Sequence, residues 1–367
     1  MNEDLELGKD LLTEEQIADE HIFLQLCEKY RIKASSEYDE HDWLLYRDGI
    51  GFSPRGNIMI IAAEKKAGKT WMGMSICAAV LSGGFLGMTS NVEQARVIFF
   101  DTEQDPIDGQ RIQRRIHYAM RDKGWLFNRD EDRFMLFHLR EVNAAQRLEF
   151  VQKAIRYFNP DLVFIDGIRD LLRDFNNLDE SANVIQNFMT LSSECNCAIW
   201  TVLHVNPGSE KMRGHLGTEA GNKVADLLFM SKEKDPNNED VVTYKVEETD
   251  SRGHKDIRSI RFRINDDLPY GIPEELTPSQ SQQIDQSRED AVRAIIQKYM
   301  PPIAAISKTR LRDEVRKGER CIQARAVSIV NEAINLKVIE RVINGKYRMV
   351  NRKIEDDLPE VQSEAPF

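Results

Sequence analysis

The stretch from Ile58 to Thr70, Ile-Met-Ile-Ile-Ala-Ala-Glu-Lys-Lys-Ala-Gly-Lys-Thr, constrains the chain more than any other. Its apolar start has no polar alternation, which predicts a strand buried on both faces, and the turn that follows runs through Gly-Lys-Thr into an apolar helix opening at Trp71. Strand, short loop and helix in that order make a P-loop. Loop amides and the helix N-terminus converge on phosphates, a lysine adds a point charge, and a Thr hydroxyl coordinates Mg²⁺. The candidate nucleotide-binding residues are therefore Ala63, Glu64, Lys65, Lys66, Ala67, Gly68, Lys69, Thr70 and Trp71. Ala63 stands where the usual pattern has its first glycine, so the backbone there must not need a positive φ. A chance Gly-Lys-Thr in a turn is the bland alternative, and the strand before and helix after argue against it.

Two further apolar runs end in acids. Residues 95–100 lead into Asp101-Thr102-Glu103-Gln104-Asp105-Pro106, and Leu162-Val163-Phe164-Ile165 lead into Asp166-Gly167. A carboxylate at a strand tip can hold the metal's water shell beside Thr70, which makes Asp166 a magnesium candidate; it could also simply cap the helix that follows. Hydrolysis needs a carboxylate across the γ-phosphate, and Glu103 suits that role unless it is only a solvated strand-end acid. The core strand 198–204 ends in His204, which is either a polar group facing the phosphates or a hydrogen-bonded core histidine. Helices are predicted at 111–121, 145–158, 179–194 and 217–224, with further strands at 134–139, 225–230 and 241–246, and an alternating edge strand at 260–264.

A chain of 367 residues has room for two or three domains. No run reaches the about 20 apolar residues of a membrane span, and the amino end lacks a secretory layout, so no membrane association and a cytoplasmic location are expected. The five cysteines, Cys27, Cys77, Cys195, Cys197 and Cys321, are scattered and odd in number, which predicts reduced thiols and no metal site built from them. Charge is unevenly spread. The net −11 conceals 16 basic against 7 acidic residues between 288 and 353, a local +9, while residues 1–287 carry −15. A basic module on an acidic body points to a binding appendage.

The expected organisation is a helical N-terminal extension over 1–50, an α/β nucleotide-binding domain over 51–265, a linker over 266–287 marked by prolines and a Ser/Gln run, a basic domain over 288–353, and an acidic tail over 354–367. In the extension, Thr13 opens a capping box and Ile17, Ile22, Phe23, Leu26 and Tyr30 form a helical stripe, expected either to pack on the core or to dock on a neighbouring subunit. In the basic domain three helices precede a hairpin across Asn344-Gly345, the pattern of a winged helix-turn-helix. Arg320, Arg325 and Lys337 on or beside its third helix, with Arg341, Lys346 and Arg348 on the wing, offer phosphate contacts. Winged helices also dock proteins, but the +9 balance favours DNA.

Residues 56–265 resemble the RecA-like P-loop ATPase core and, more narrowly, its RepA-like and DnaB-like hexameric helicase branch, an AAA-type ATPase group many of whose members are encoded by plasmids and mobile elements. The resemblance rests on Ala63 to Thr70, Asp101 to Pro106, Leu162 to Arg169, and the segment from His204 to Arg213-Gly214. It implies a mainly parallel central sheet, ATP and Mg²⁺ as cofactors, a homo-oligomer with a hexamer favoured, and single-stranded DNA engaged by central loops. It assigns the water-polarising glutamate to Glu103, the magnesium position to Asp166 and the γ-phosphate sensor to His204. The catalytic arginine supplied to the next subunit falls on Arg213 or Arg252; the basic pair of the DnaB-like pattern would be Lys245 and Arg252, at a wider spacing than usual. The function so implied is an ATP-hydrolysing DNA motor for replication or mobilisation of a mobile element. An ATP-dependent accessory protein for excision, integration or mobilisation, without unwinding, is the alternative, and a nucleotide-binding regulator with little hydrolysis a third.

Overall fold

The computed structural model describes residues 14–35, 37, 41–121, 131–206, 212–234, 241–300 and 305–350. Two units are distinguished, residues 1–42 and 43–367. The first contains helix α1 (Glu14–Tyr30), on which Ile22, Phe23, Leu24, Leu26 and Tyr30 are all exposed. Ile22, Phe23, Leu26 and Tyr30 fall within about 100° of arc on the helix, as the expected stripe requires, and Leu24 lies off that face. Thr13 and the side chain of Ile17 lie outside the described residues. The second unit begins at Trp43, earlier than the expected boundary at 50, because Leu44 and Leu45 of the next strand are fully buried.

In chain order this unit runs β1 (Trp43–Arg47), β2 (Ile50–Pro54), β3 (Ile58–Ala63), α2 (Lys69–Ser82), β4 (Gly84–Phe85), β5 (Met88–Thr89), β6 (Val97–Asp101) and α3 (Pro106–Met120). It continues through β7 (Phe134–His138), α4 (Ala144–Phe158), β8 (Leu162–Asp166), α5 (Leu178–Glu194), β9 (Ala198–His204), α6 (Gly214–Gly221), β10 (Asp226–Lys234), β11 (Val242–Ser251), β12 (Ile260–Asn265) and β13 (Ile272–Glu275). Among the described residues a nine-stranded sheet has the order β13-β12-β11-β10-β3-β9-β8-β6-β7. From β10 to β7 every neighbouring pair is parallel, and β11, β12 and β13 extend the sheet antiparallel. β12 reads as an edge strand from its alternation, yet it is interior, because β13 pairs outside it.

Along β3 successive side chains feed two separate cores. Met59, Ile61 and Ala63 pack with α2 on one face, and Ile58, Ile60 and Ala62 pack with α4 and α5 on the other. Burial on both faces is why this strand shows no polar alternation. Helix starts are fixed locally: Asp105 Oδ1 accepts the amides of Ile107 and Asp108 at the head of α3, with Pro106 at its first position, and Asn143 and Asn177 cap α4 and α5.

Residues 266–287, expected as a linker, carry β13 and the first half of α7 (Pro278–Tyr299), which opens with a Thr277–Gln280 capping box. The Ser/Gln run that looks like a tether supplies a helix start. After α7 come β14 (Ile306–Ser307), α8 (Lys308–Gly318), α9 (Gln323–Asn335), β15 (Ile339–Arg341) and β16 (Lys346–Met349), around a core of their own that includes Ile296, Leu311, Val315, Val330 and Val338. The turn between β15 and β16 puts Asn344 and Gly345 at φ 73° and 70°, as an Asn-Gly hairpin turn requires. Ion pairs centred on the buried Arg261 tie this part to the large sheet: Arg261 of β12 meets Glu233 of β10 at 3.1 Å and the half-exposed Asp285 of α7 at 2.6 Å, and Arg288 joins Glu233 to Glu332 of α9. Residues 235–240, between β10 and β11, and the acidic tail lie outside the described residues. No helix of the described residues is long and apolar enough to cross a membrane.

A close approach seats α2 on the sheet. A Cβ added to Gly73 would clash with the tip of the Phe164 ring on β8. Gly73→Ala would gain about 1 kcal/mol in helix propensity, but overpacking of this kind costs about 1–3 kcal/mol. The variant is therefore expected to melt at a lower temperature than the wild type in a thermal scan; an unchanged or higher midpoint would mean that α2 can stand off from β8 without loss.

Candidate nucleotide-binding site

Strand register brings the chemistry to one edge. Ala63 lies opposite His204 across β3 and β9, and Asp101 lies opposite both Asp166 and His138 across β6, β8 and β7. These residues end their strands at the carboxyl edge of the parallel sheet, where open α/β sheets bind ligands. Ala63 closes β3 in extended backbone, so the missing glycine costs nothing; Lys66 and Gly68, at φ 61° and 90°, make the loop's left-handed steps instead. A Cβ on Gly68 would also strike Tyr244 at 2.7 Å.

Lys69 and Thr70 are the first residues of α2. The buried Lys69 ammonium donates to the Glu64 carbonyl at 3.1 Å and to His204 Nδ1 at 3.2 Å. An ammonium has only donors, so Nδ1 accepts and the His204 proton sits on Nε2, 3.9 Å from Glu103 Oε1. Desolvation, then the cations of Lys69 and Lys65, hold His204 down to about 4, so it is a neutral imidazole at physiological pH. Burial lowers the Lys69 pKa, opposed by the Asp166 and Glu103 carboxylates.

Thr70 Oγ1 donates to Asp166 Oδ2 at 2.6 Å, and Gln104 Nε2 stands 3.5 Å from the same hydroxyl. Burial pushes Asp166 up to about 7. A hydroxyl and a buried carboxylate in contact beside a lysine form a donor set that fits Mg²⁺ with a polyphosphate. Glu103 is raised by desolvation and then by the Asp170 carboxylate.

Thr102 and Asp101, which sequence reasoning passed over, hold these groups in place. The Thr102 amide donates to the Asp166 carbonyl at 3.0 Å, and its hydroxyl accepts from the Gly167 amide at 3.1 Å and lies 2.9 Å from Asp170 Oδ2. Asp101 Oδ1 accepts the amides of Glu103 and Gln104 at 3.1 and 3.0 Å, while its buried Oδ2 has no hydrogen-bond partner among the described residues. The available signal was that Asp101, like Asp166, is the acid that terminates an apolar run.

The other candidates are dispersed. The Trp71 indole lies under the Arg115 guanidinium at 4.0 Å, between α2 and α3. Arg213 caps α6, its amide donating to the His204 carbonyl at 3.0 Å, so it borders the site. Arg252 does not: its amide donates to the Ala225 carbonyl at 2.9 Å and its guanidinium to the Asn222 carbonyl, at the amino end of β10, the opposite edge of the sheet from the P-loop of its own chain. Lys245 is paired with Glu247 at 2.7 Å. Arg320, Arg325, Lys337, Arg341, Lys346 and Arg348 are all exposed on the C-terminal part, Arg348 paired with Glu340.

An α/β fold with a large, mostly parallel sheet and a loop of this kind fits a P-loop nucleotide-binding protein. Residues 32–210 match the model of a family described as an AAA domain, and that match supports a P-loop ATPase. No curated protein matches the chain. Among solved structures, the chain is similar to a KaiC-like protein from the hyperthermophilic archaeon Pyrococcus horikoshii OT3, at 16% identity over 61% of this chain and 93% of that one, with a TM-score of 0.42.

The folded protein keeps the Asp166 proton up to about pH 7, whereas an unfolded chain releases it near 3.8. The contribution of this group to stability is thus greatest below 3.8, falls as pH rises and is gone above about 7. Holding a cation requires the deprotonated form. Affinity for Mg²⁺-nucleotide is therefore expected to weaken as pH falls below 7, by up to about tenfold per unit, and the effect should be absent in Asp166→Asn; calorimetric titration from pH 5.5 to 8.5 reads it.

Proposed function

We propose that the chain is an ATP-hydrolysing, Mg²⁺-dependent motor of the RepA-like helicase type that acts on DNA and serves replication or mobilisation of a mobile element. The observation that carries the reading is the meeting of Lys69, the Thr70–Asp166 pair and the Glu103–His204 pair at one sheet edge. Lys69 binds the β- and γ-phosphates, Thr70 and Asp166 hold the cation, and Glu103 orients the water and takes its proton. When bound, Mg²⁺ neutralises charge on the phosphates. His204 touches Lys69 on one side and faces Glu103 on the other, so it can report the γ-phosphate to the adjoining segment that leads to Arg213. Neighbouring subunits, six in the favoured arrangement, complete each site with Arg213 or Arg252.

DNA as partner is supported by the +9 balance of residues 288–353 and by the exposure of Arg320, Arg325, Lys337, Arg341, Lys346 and Arg348. Three helices and a three-stranded sheet β14-β16-β15 with their own core support a winged helix as the reading of this part. Single-stranded DNA would pass through the central loops and duplex would meet the winged helix.

Turnover of ATP should rise with single-stranded DNA, and Lys69→Ala and Glu103→Gln should each lower it by about 10²–10⁴-fold. Displacement of a forked strand by the wild type alone supports the motor; turnover without displacement leaves the accessory protein, and no turnover defeats both. Reversing Arg320, Arg325 and Lys337 to Glu is expected to weaken duplex binding for all sequences and to flatten its salt dependence by about one unit of slope for each cation–phosphate pairing removed. An unchanged salt slope would assign this part to protein docking.

A further inference from the structure

At the opposite end of β10 from the nucleotide site, three side chains converge in near-complete burial. Asp226 opens β10, Glu248 lies on β11 beside it, and His254 comes from the turn that follows; their side chains are 0%, 1% and 5% exposed. Pairing sets the meeting: Glu248 is opposite Leu228, two residues on from Asp226 and therefore on the same face. Each carboxylate is anchored through one oxygen by a backbone amide. Ser53 donates to Asp226 Oδ2 at 2.6 Å and Ile257 to Glu248 Oε2 at 2.8 Å. The imidazole is oriented likewise: Nδ1 stands 2.8 Å from the Lys255 carbonyl, which can only accept, so Nδ1 carries a proton and Nε2 turns inward.

What remains pointing inward is Asp226 Oδ1, Glu248 Oε1 and His254 Nε2, all within 4.8 Å of one another. Nε2 lies 2.8 Å from Asp226 Oδ1 and 3.6 Å from Glu248 Oε1, and the latter oxygen is buried without a hydrogen-bond partner among the described residues. A proton on Nε2 satisfies the near carboxylate and leaves the far one orphaned, a costly arrangement in a buried site. One cation satisfies all three. We propose that Asp226, Glu248 and His254 bind a divalent transition-metal ion, zinc by the class of their donors. Zinc takes nitrogen and carboxylate oxygen at about 2.0–2.2 Å, which sets ligand atoms roughly 3.4 Å apart in a tetrahedron. The two separations above bracket that value. The Nδ1 bond to a carbonyl is the outer support that metal-bound histidines use, and the Trp43 ring stands edge-on to the imidazole at 5.3 Å, shielding the group from solvent. The ion fastens β10, β11 and the 252–257 turn together and, through Ser53, to β2, with its fourth position left to water.

The test uses the full chain, free of nucleotide and stripped with chelator, then titrated with zinc chloride against a competing chelator. One equivalent is expected to bind and to raise the melting temperature. Glu248→Gln and His254→Gln should each weaken that equivalent by more than about 100-fold, beyond the cost of losing an outer partner, and abolish the zinc-dependent rise. Asp166→Asn should leave both readouts unchanged, separating this site from the nucleotide site. If His254→Gln fails to fold, the near-isosteric Glu248→Gln decides. No zinc-dependent rise in the wild type would overturn the proposal in favour of an imidazolium held between two acids, and equal binding by wild type and Glu248→Gln would place the ion elsewhere.

Discussion

The contact between Thr70 Oγ1 and Asp166 Oδ2 joins the first turn of α2 to the tip of β8, and the site is arranged around it. It forms where α2 lies close against the sheet, since Gly73 lets the helix rest on the ring of Phe164. That closeness sets the Lys69 ammonium over the neighbouring strand end, where His204 receives it. A cation in this position is needed electrostatically. Asp101, Glu103 and Asp166 crowd one edge, and desolvation raises the pKa of each. Such a gathering of like charges opposes folding and is characteristic of functional sites.

The same sheet has a second polar centre at its far edge. The nucleotide edge is open, formed by strand tips and loop, while the Asp226–Glu248–His254 group is closed and its carboxylates are held by backbone amides. The difference follows from topology. Parallel strands leave their carboxyl ends free for exchange with solvent ligands, whereas the antiparallel turn from β11 folds back over the start of β10 and seals what it covers.

The basic C-terminal part is not loosely hung from this body. Glu233, Arg261, Asp285, Arg288 and Glu332 form one largely buried ionic cluster that joins β10, β12, α7 and α9. Breaking a buried pair costs more than never having built it, so the cluster fixes α7 against the sheet more than it adds net stability. A module held in this way keeps a fixed orientation on the large sheet, which a flexible tether cannot impose.

Much of the core was legible in the chain. Continuous apolar runs marked β3, β6, β8 and β9 because both faces of a parallel strand are buried, and Gly68-Lys69-Thr70 marked the candidate phosphate loop because phosphate capture uses an amide nest, an ammonium and a hydroxyl in succession. Asp166 and Glu103 could be nominated because each follows an apolar run. The run 266–287 could not be read, since a Ser/Gln stretch has the composition of a tether whether or not Thr277 caps a helix there. Nor could β12 be recognised as interior, because a strand's alternation is the same with or without an outer neighbour. Composition and periodicity along the chain thus determined the elements and the candidates for phosphate binding. Tertiary structure alone decided which acids meet: the register of β6 on β8 and of β10 on β11 is a relation between distant segments, and no local pattern in either segment encodes it.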